Sequence, residues 1–172
     1  MEAPDPIINK VAQKAIVTID LADFFPKEEN IVAIDLKDYL FKGLILREAD
    51  FREQVKNTDW STYQDKYVAI HSTVDAIVPM WAYMVLAAEL TPYVKDIANA
   101  PPAHAVDIFM YRAIEKINAE DYSGQRVVIK GCGDRQIDSA AFVYITNKLA
   151  PTARAIMYGE PCSMVPVYKK QI

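Results

Sequence analysis

The sequence predicts an α/β protein: a three-layer core with a mostly parallel sheet built from βαβ units, and an N-terminal α+β layer packed on it. Three observations lead there. Short runs rich in β-branched and aromatic residues recur at Lys66–Ile70, Arg126–Lys130 and Ala153–Tyr158, and such runs read as strands. Between them, apolar residues return at helical spacing, as in Val106, Phe109, Met110, Ala113, Ile114 and Ile117. Strands alternating with helices of this length imply crossover units and parallel pairing. The chain has 172 residues, 52% of them apolar, enough to form a core without cross-links.

Each element has a local reason. Ala15 to Leu21 alternates as a strand does, and Asn30 to Leu36 reads as its partner across a turn holding Pro26 and Lys27. From Asp38 to Lys56 the pattern is helical, with an interruption near Gly43, and Asp59-Trp60 closes the N-terminal layer. Asp75 is expected to cap a helix that tolerates Pro79 in its first turn and ends at Thr91-Pro92. A weaker strand covers about Val94 to Ala98, and Pro101-Pro102 opens the next helix. Ser123-Gly124 is a turn. Asp138 or Ser139 caps a last helix, carrying Phe142, Val143, Ile145 and Leu149 and closed by Pro151. No repeat at a fixed period and no Pro/Gly/Ser linker stands out. The expected organisation is one domain, 1–172, with a layer over 1–60 and a βαβ core over 61–172.

Composition narrows the function classes. With 19 basic against 23 acidic residues the net charge is -4, which argues against a nucleic-acid partner. Two cysteines do not make a disulfide scaffold. The start MEAPDPIINK is acidic and proline-broken, unlike a secretory signal. The longest uncharged apolar run, Ala76 to Ala88, is short of the ~20 residues a membrane span needs. A cytoplasmic location with no membrane partner is the expectation.

The candidate site follows from topology. Open parallel sheets bind ligands outside the carboxyl ends of their strands. His71 follows the first clear strand, Cys132 the second and Cys162 the third. Thiolate and imidazole together suit a divalent metal, zinc ahead of iron. Asp75 is the first choice for a fourth ligand, with Asp134, Glu160 or water behind it. Three glycines, Gly131, Gly133 and Gly159, fall in the same loops. The other readings are a Cys132–His71 nucleophile–base pair, a Cys132–Cys162 redox couple, and cysteines that only pack as small hydrophobes. Arg47 to Glu53 reads as a solvated helix face, with Glu48 and Arg52 at ion-pair spacing. Trp81, Tyr83 and Met84 read as core, and His104 as a surface residue. No P-loop, dinucleotide fingerprint or nucleophile elbow is present.

Four stretches, DYLFKGLILREADFREQVKNTDWSTYQDKYVAI (38–70), DAIVPMWAYM (75–84), RVVIKGCGD (126–134) and IMYGEPCSMVPVYK (156–169), closely resemble the DUF2480 family of uncharacterised bacterial proteins. The resemblance spans nearly the whole chain and carries no established activity. It implies cysteine at the position of His71 in relatives, an exchange of one soft ligand for another, and iron–sulfur assembly proteins as partners. The expected function is then a metal-binding accessory protein, in iron–sulfur cluster assembly or metal handling, with a Cys/Cys/His site. A metal- or cysteine-dependent enzyme of hydrolase or transferase type is the alternative, and a non-catalytic interaction protein is the third class.

Overall fold

The computed structural model describes residues 16–131, 133, 135–160 and 163–171. In chain order the strands are β1 (Ile16–Asp20), β2 (Ile31–Asp35), β3 (Leu40–Phe41), β4 (Ile45–Leu46), β5 (Tyr67–His71), β6 (Asp96–Asn99), β7 (Arg126–Lys130), β8 (Ala155–Glu160) and β9 (Ser163–Lys169). The helices are α1 (Glu48–Asn57), α2 (Met80–Leu90), α3 (Pro102–Glu115) and α4 (Ser139–Leu149). The fold is α/β, as expected. The chain divides into two compact units: a continuous one over 25–113, and a split one drawn from 1–24 and 114–172. No helix among the described residues is long and apolar enough to cross a membrane.

In the continuous unit the sheet order is β2-β5-β6, all parallel, with Ile31 opposite Tyr67 and Tyr67 opposite Asp96. Val68 and Ile70 pack with Phe51 and Val55 of α1 and with Ala82, Leu86 and Leu90 of α2. Ala69 and Ala98 meet Ala105 and Phe109 of α3 instead. Successive strand residues point to opposite faces, so helices cover this sheet on both sides. That is why Val68, Ala69 and Ile70 are all buried, and why the strand reads as a continuous apolar run. Trp81 and Tyr83 join the core as expected, whereas Met84 is 70% exposed.

The split unit has the order β1-β7-β8-β9. The first three strands are parallel and β9 returns antiparallel to β8. Val127, Val128 and Ile129 are buried together, again the mark of a strand with cover on both faces. Asp138 caps α4 by accepting a hydrogen bond from the Ala140 N–H at 3.0 Å, as its position predicted.

Several sequence expectations need correction. Strands β1 and β2 are not partners: β1 pairs with β7 and β2 with β5, both in parallel. The three clear strands do not share a sheet, since β5 lies in one and β7 and β8 in the other. The stretch 40–46 is a hairpin, not the start of a helix. Its turn residues Lys42 and Gly43 take φ of 53° and 70°, a conformation that helices exclude and glycine tolerates. Asp75 does not cap α2, which begins at Met80 after Pro79.

The two units repeat one plan. The 3-10 turn Trp60–Tyr63, β5, α2 and β6 begin 59 positions before the turn Ala119–Tyr122, β7, α4 and β8 respectively. The match extends to single bonds. Asp65 and Gly124 both take positive φ; the Asp65 N–H donates to the Tyr93 carbonyl as the Gly124 N–H does to that of Thr152. Identical pairs include Tyr63/Tyr122, Val68/Val127, Ile70/Ile129, Leu90/Leu149 and Ile97/Ile156. The first strands also correspond. IVTIDLADFF (16–25) and IVAIDLKDYL (31–40) each form a strand ended by an aspartate and a 3-10 turn. No fixed period is visible because these copies lie 15 positions apart while the rest lie 59 apart, the signature of interleaved rather than tandem repeats.

Candidate functional site

The repeat lets the carboxyl edges of the two sheets be compared residue by residue. In the continuous unit the Asp35 carboxylate ends β2 and is fully engaged. It accepts hydrogen bonds from the Lys37 N–H at 3.0 Å, the Thr73 N–H at 3.1 Å and the Thr73 hydroxyl, and it pairs with Lys37 Nζ at 3.3 Å. Burial alone would raise its pKa. The donors from Thr73 and Lys37 outweigh that and hold the carboxyl well below the usual range. Asp35 therefore staples the loop after β5 onto β2. His71 sits half-buried at the end of β5, and Asp75 is exposed in the loop beyond.

In the split unit the equivalent aspartate, Asp20, faces a cation. Its Oδ1 accepts from the Ala22 N–H at 3.0 Å, and its Oδ2 pairs with Lys130 Nζ at 3.0 Å. Glu160, at the end of β8, stands 3.7 Å from the same ammonium. The hydrogen bond to Asp20, its charge and that of Glu160 raise the Lys130 pKa and keep it a cation. Asp20, Lys130 and Glu160 thus form an ion-paired row across the ends of three parallel strands. Beyond it the chain is closely packed. A Cβ on Gly131 would stand 2.8 Å from both Ile137 Cδ1 and Phe142 Cζ, so these side chains would have to give way to a larger residue there. Glu160 was among the sequence candidates; Asp20 and Lys130 were not, although the doubled IDL motif marks the aspartate.

Of the predicted metal ligands, Cys132 and Cys162 lie outside the described residues, as does Asp134. His71 belongs to the other sheet. The premise that three strand ends of one sheet bring His71, Cys132 and Cys162 together therefore fails. Among the described residues no group of three or more His, Cys, Asp or Glu side chains is placed to hold a metal ion. This corrects the metal-binding accessory role in iron–sulfur assembly and, with it, the metal-dependent enzyme at the same site; the cysteine-dependent form rests on Cys132 and Cys162, outside the described residues.

Two concavities stand out among the described residues. In the continuous unit an open cleft of about 680 Å³ is lined by Asp35, Asp38, Asp50 and Glu53 beside Tyr39 and Tyr63. Burial raises the pKa of Tyr39, helped by Tyr63 and Asp38, and burial raises that of Tyr63. Its carboxylates are spread along the β2 end and α1, not converged on a point. The second is a groove of about 1150 Å³ in the split unit, between α4 and the β8–β9 side of the sheet. Its helical wall carries Ser139, Phe142, Val143, Thr146, Asn147 and Ala150, one continuous stripe by spacing. Its floor is Ile129, Ile156, Tyr158 and Val167. Phe142 meets Tyr158 edge-on, with ring centroids 5.5 Å apart. Asp138 and Gln136 mark its end at the helix start.

Two α/β units on one strand–turn–strand–helix–strand plan, one with an acidic cleft at the end of β2 and one with an apolar groove beside α4, define a duplicated α/β protein. The chain belongs to the family described as protein of unknown function (DUF2480), whose pattern matches residues 5–170. No curated protein matches the chain, and no solved structure does.

Proposed function

We propose that this is an interaction protein that receives the apolar part of its ligand in the groove beside α4. The observation that carries this is the groove itself: about 1150 Å³, open, and floored by large apolar side chains. A helix is about 10–12 Å across and strands lie about 4.8 Å apart, so one helix covers roughly two strands. Helix α4 leaves the outer strands bare on its side. Tyr158, Val165 and Val167 are exposed there, and Val143 on α4 is 69% exposed. Contiguous exposure of this kind marks binding surfaces. The repeat supports the same reading, because Met84 occupies the equivalent place on α2 and is exposed to the same degree.

An apolar fluorescent probe tests it. Anilinonaphthalene sulfonate should brighten and shift to the blue with the native protein, and Val143→Asp should abolish most of that signal while leaving the circular dichroism unchanged. A native protein that leaves the dye dark overturns the proposal.

A further inference from the structure

The β3–β4 hairpin is a strongly exposed apolar feature of the continuous unit, as are Ile77, Met80 and Met84 before and along α2. Leu44 at the hairpin tip is 75% exposed and Ile45 57%, with Phe41 beside them. An exposed apolar tip of this kind marks an interaction surface or an aggregation liability. Cations frame it. The Arg47 guanidinium stacks on the Phe41 ring at 3.2 Å, and Lys42 Nζ stands 5.5 Å from the same ring. Arg47 also lies 4.0 Å from Asp50, a contact long enough to leave its other donors available. The groove beside α4 has the complementary character: an apolar floor ended by the Asp138 carboxylate.

We infer that the occupant of the groove is a second copy of this chain, whose hairpin seats Leu44 and Ile45 between Val143, Tyr158 and Val167, with Lys42 and Arg47 toward Asp138. The inference rests on the groove being a binding surface, as proposed above. It commits to self-association because one chain carries both halves of the contact exposed, an apolar projection with a basic frame and an apolar recess with an acidic end. Hairpin and groove are different patches, so the contact is heterologous: exchanged between two copies it is made twice, and passed onward it adds further copies.

Sedimentation velocity on the full chain between about 1 µM and 1 mM, the range of weak to moderate affinities, reads this directly. The weight-average mass should rise from 19.4 kDa to twice that or beyond. Leu44→Asp and Val143→Asp should each return it to the monomer; both side chains are exposed, so neither change should affect folding. In a Cys132→Ser, Cys162→Ser background, mixing a Leu44→Cys chain with a Val143→Cys chain should give a disulfide-linked pair in excess of either self-linked product. The dye separates the two proposals. At high protein concentration Leu44→Asp should bind more dye per chain than the native protein, because the groove is vacated. A protein that stays monomeric yet lights the dye keeps the groove as a binding surface and overturns the second copy as its occupant. An assembly that survives both aspartate substitutions overturns it as well.

Discussion

Asp35 and Asp20 are the same residue of the repeated plan put to different uses. Asp35 gathers donors from Thr73 and Lys37, and so fixes a loop. Thr73→Val removes the hydroxyl donor to a carboxylate and should cost about 1–2 kcal/mol at neutral pH. Because the folded pKa of Asp35 lies below its unfolded value near 4, its stabilisation is complete above about pH 4 and drains as the pH falls through the folded value. The gap between native and variant should therefore narrow in urea titrations run at progressively lower pH. A gap that is constant from pH 7 to pH 2 would show that the carboxylate does not hold the loop. Gly159 makes a second residue-scale case. It takes φ of 114°, and a Cβ there would stand 2.5 Å from the Ser163 carbonyl oxygen. Gly159→Ala should cost about 1–3 kcal/mol from backbone strain, measurable as a lower urea midpoint, where an alanine at an ordinary strand position would be nearly neutral.

At the scale of elements, the repeat makes paired predictions possible. Ile70 in β5 and Ile129 in β7 are equivalent and both 2% exposed. Either one changed to alanine should cost about 2–5 kcal/mol, and a value under about 0.5 kcal/mol, that of a surface site, would show the strand to be misplaced. Strands such as Arg126–Lys130 were legible because cover on both faces leaves an unbroken β-branched run. The hairpin was not. Leu40, Phe41, Leu44 and Ile45 recur at intervals of four and imitate a helical face; only the positive φ of Lys42 and Gly43 separates the two. Sheet membership was beyond reach for a different reason. Near-identical local patterns, IVTID and IVAID, form the first strand of each sheet, so nothing local says which strand each copy joins. The candidate site inherited that ambiguity: the strand ends were found, and their assignment to one edge was wrong.

At the scale of the molecule, the continuous unit has its own sheet, three helices and a core drawn from both sheet faces. A fragment spanning residues 25–115 should therefore fold alone, with native-like helical circular dichroism and a cooperative urea transition. A fragment that is disordered would mean that the two units stabilise each other. The remaining consequence concerns synthesis. Ile16 pairs with Arg126, 110 positions later, while Ile31 waits only until Tyr67. On a ribosome adding about 5–20 residues per second, β2 waits about 2–7 seconds for β5, whereas β1 waits about 5–20 seconds for β7. An apolar strand held open for that long is a standing invitation to wrong partners. The nearest of these in sequence is β5, which already accepts the near-identical β2; both copies emerge before it, so the shorter connection from β2, not the order of emergence, favours the observed pairing.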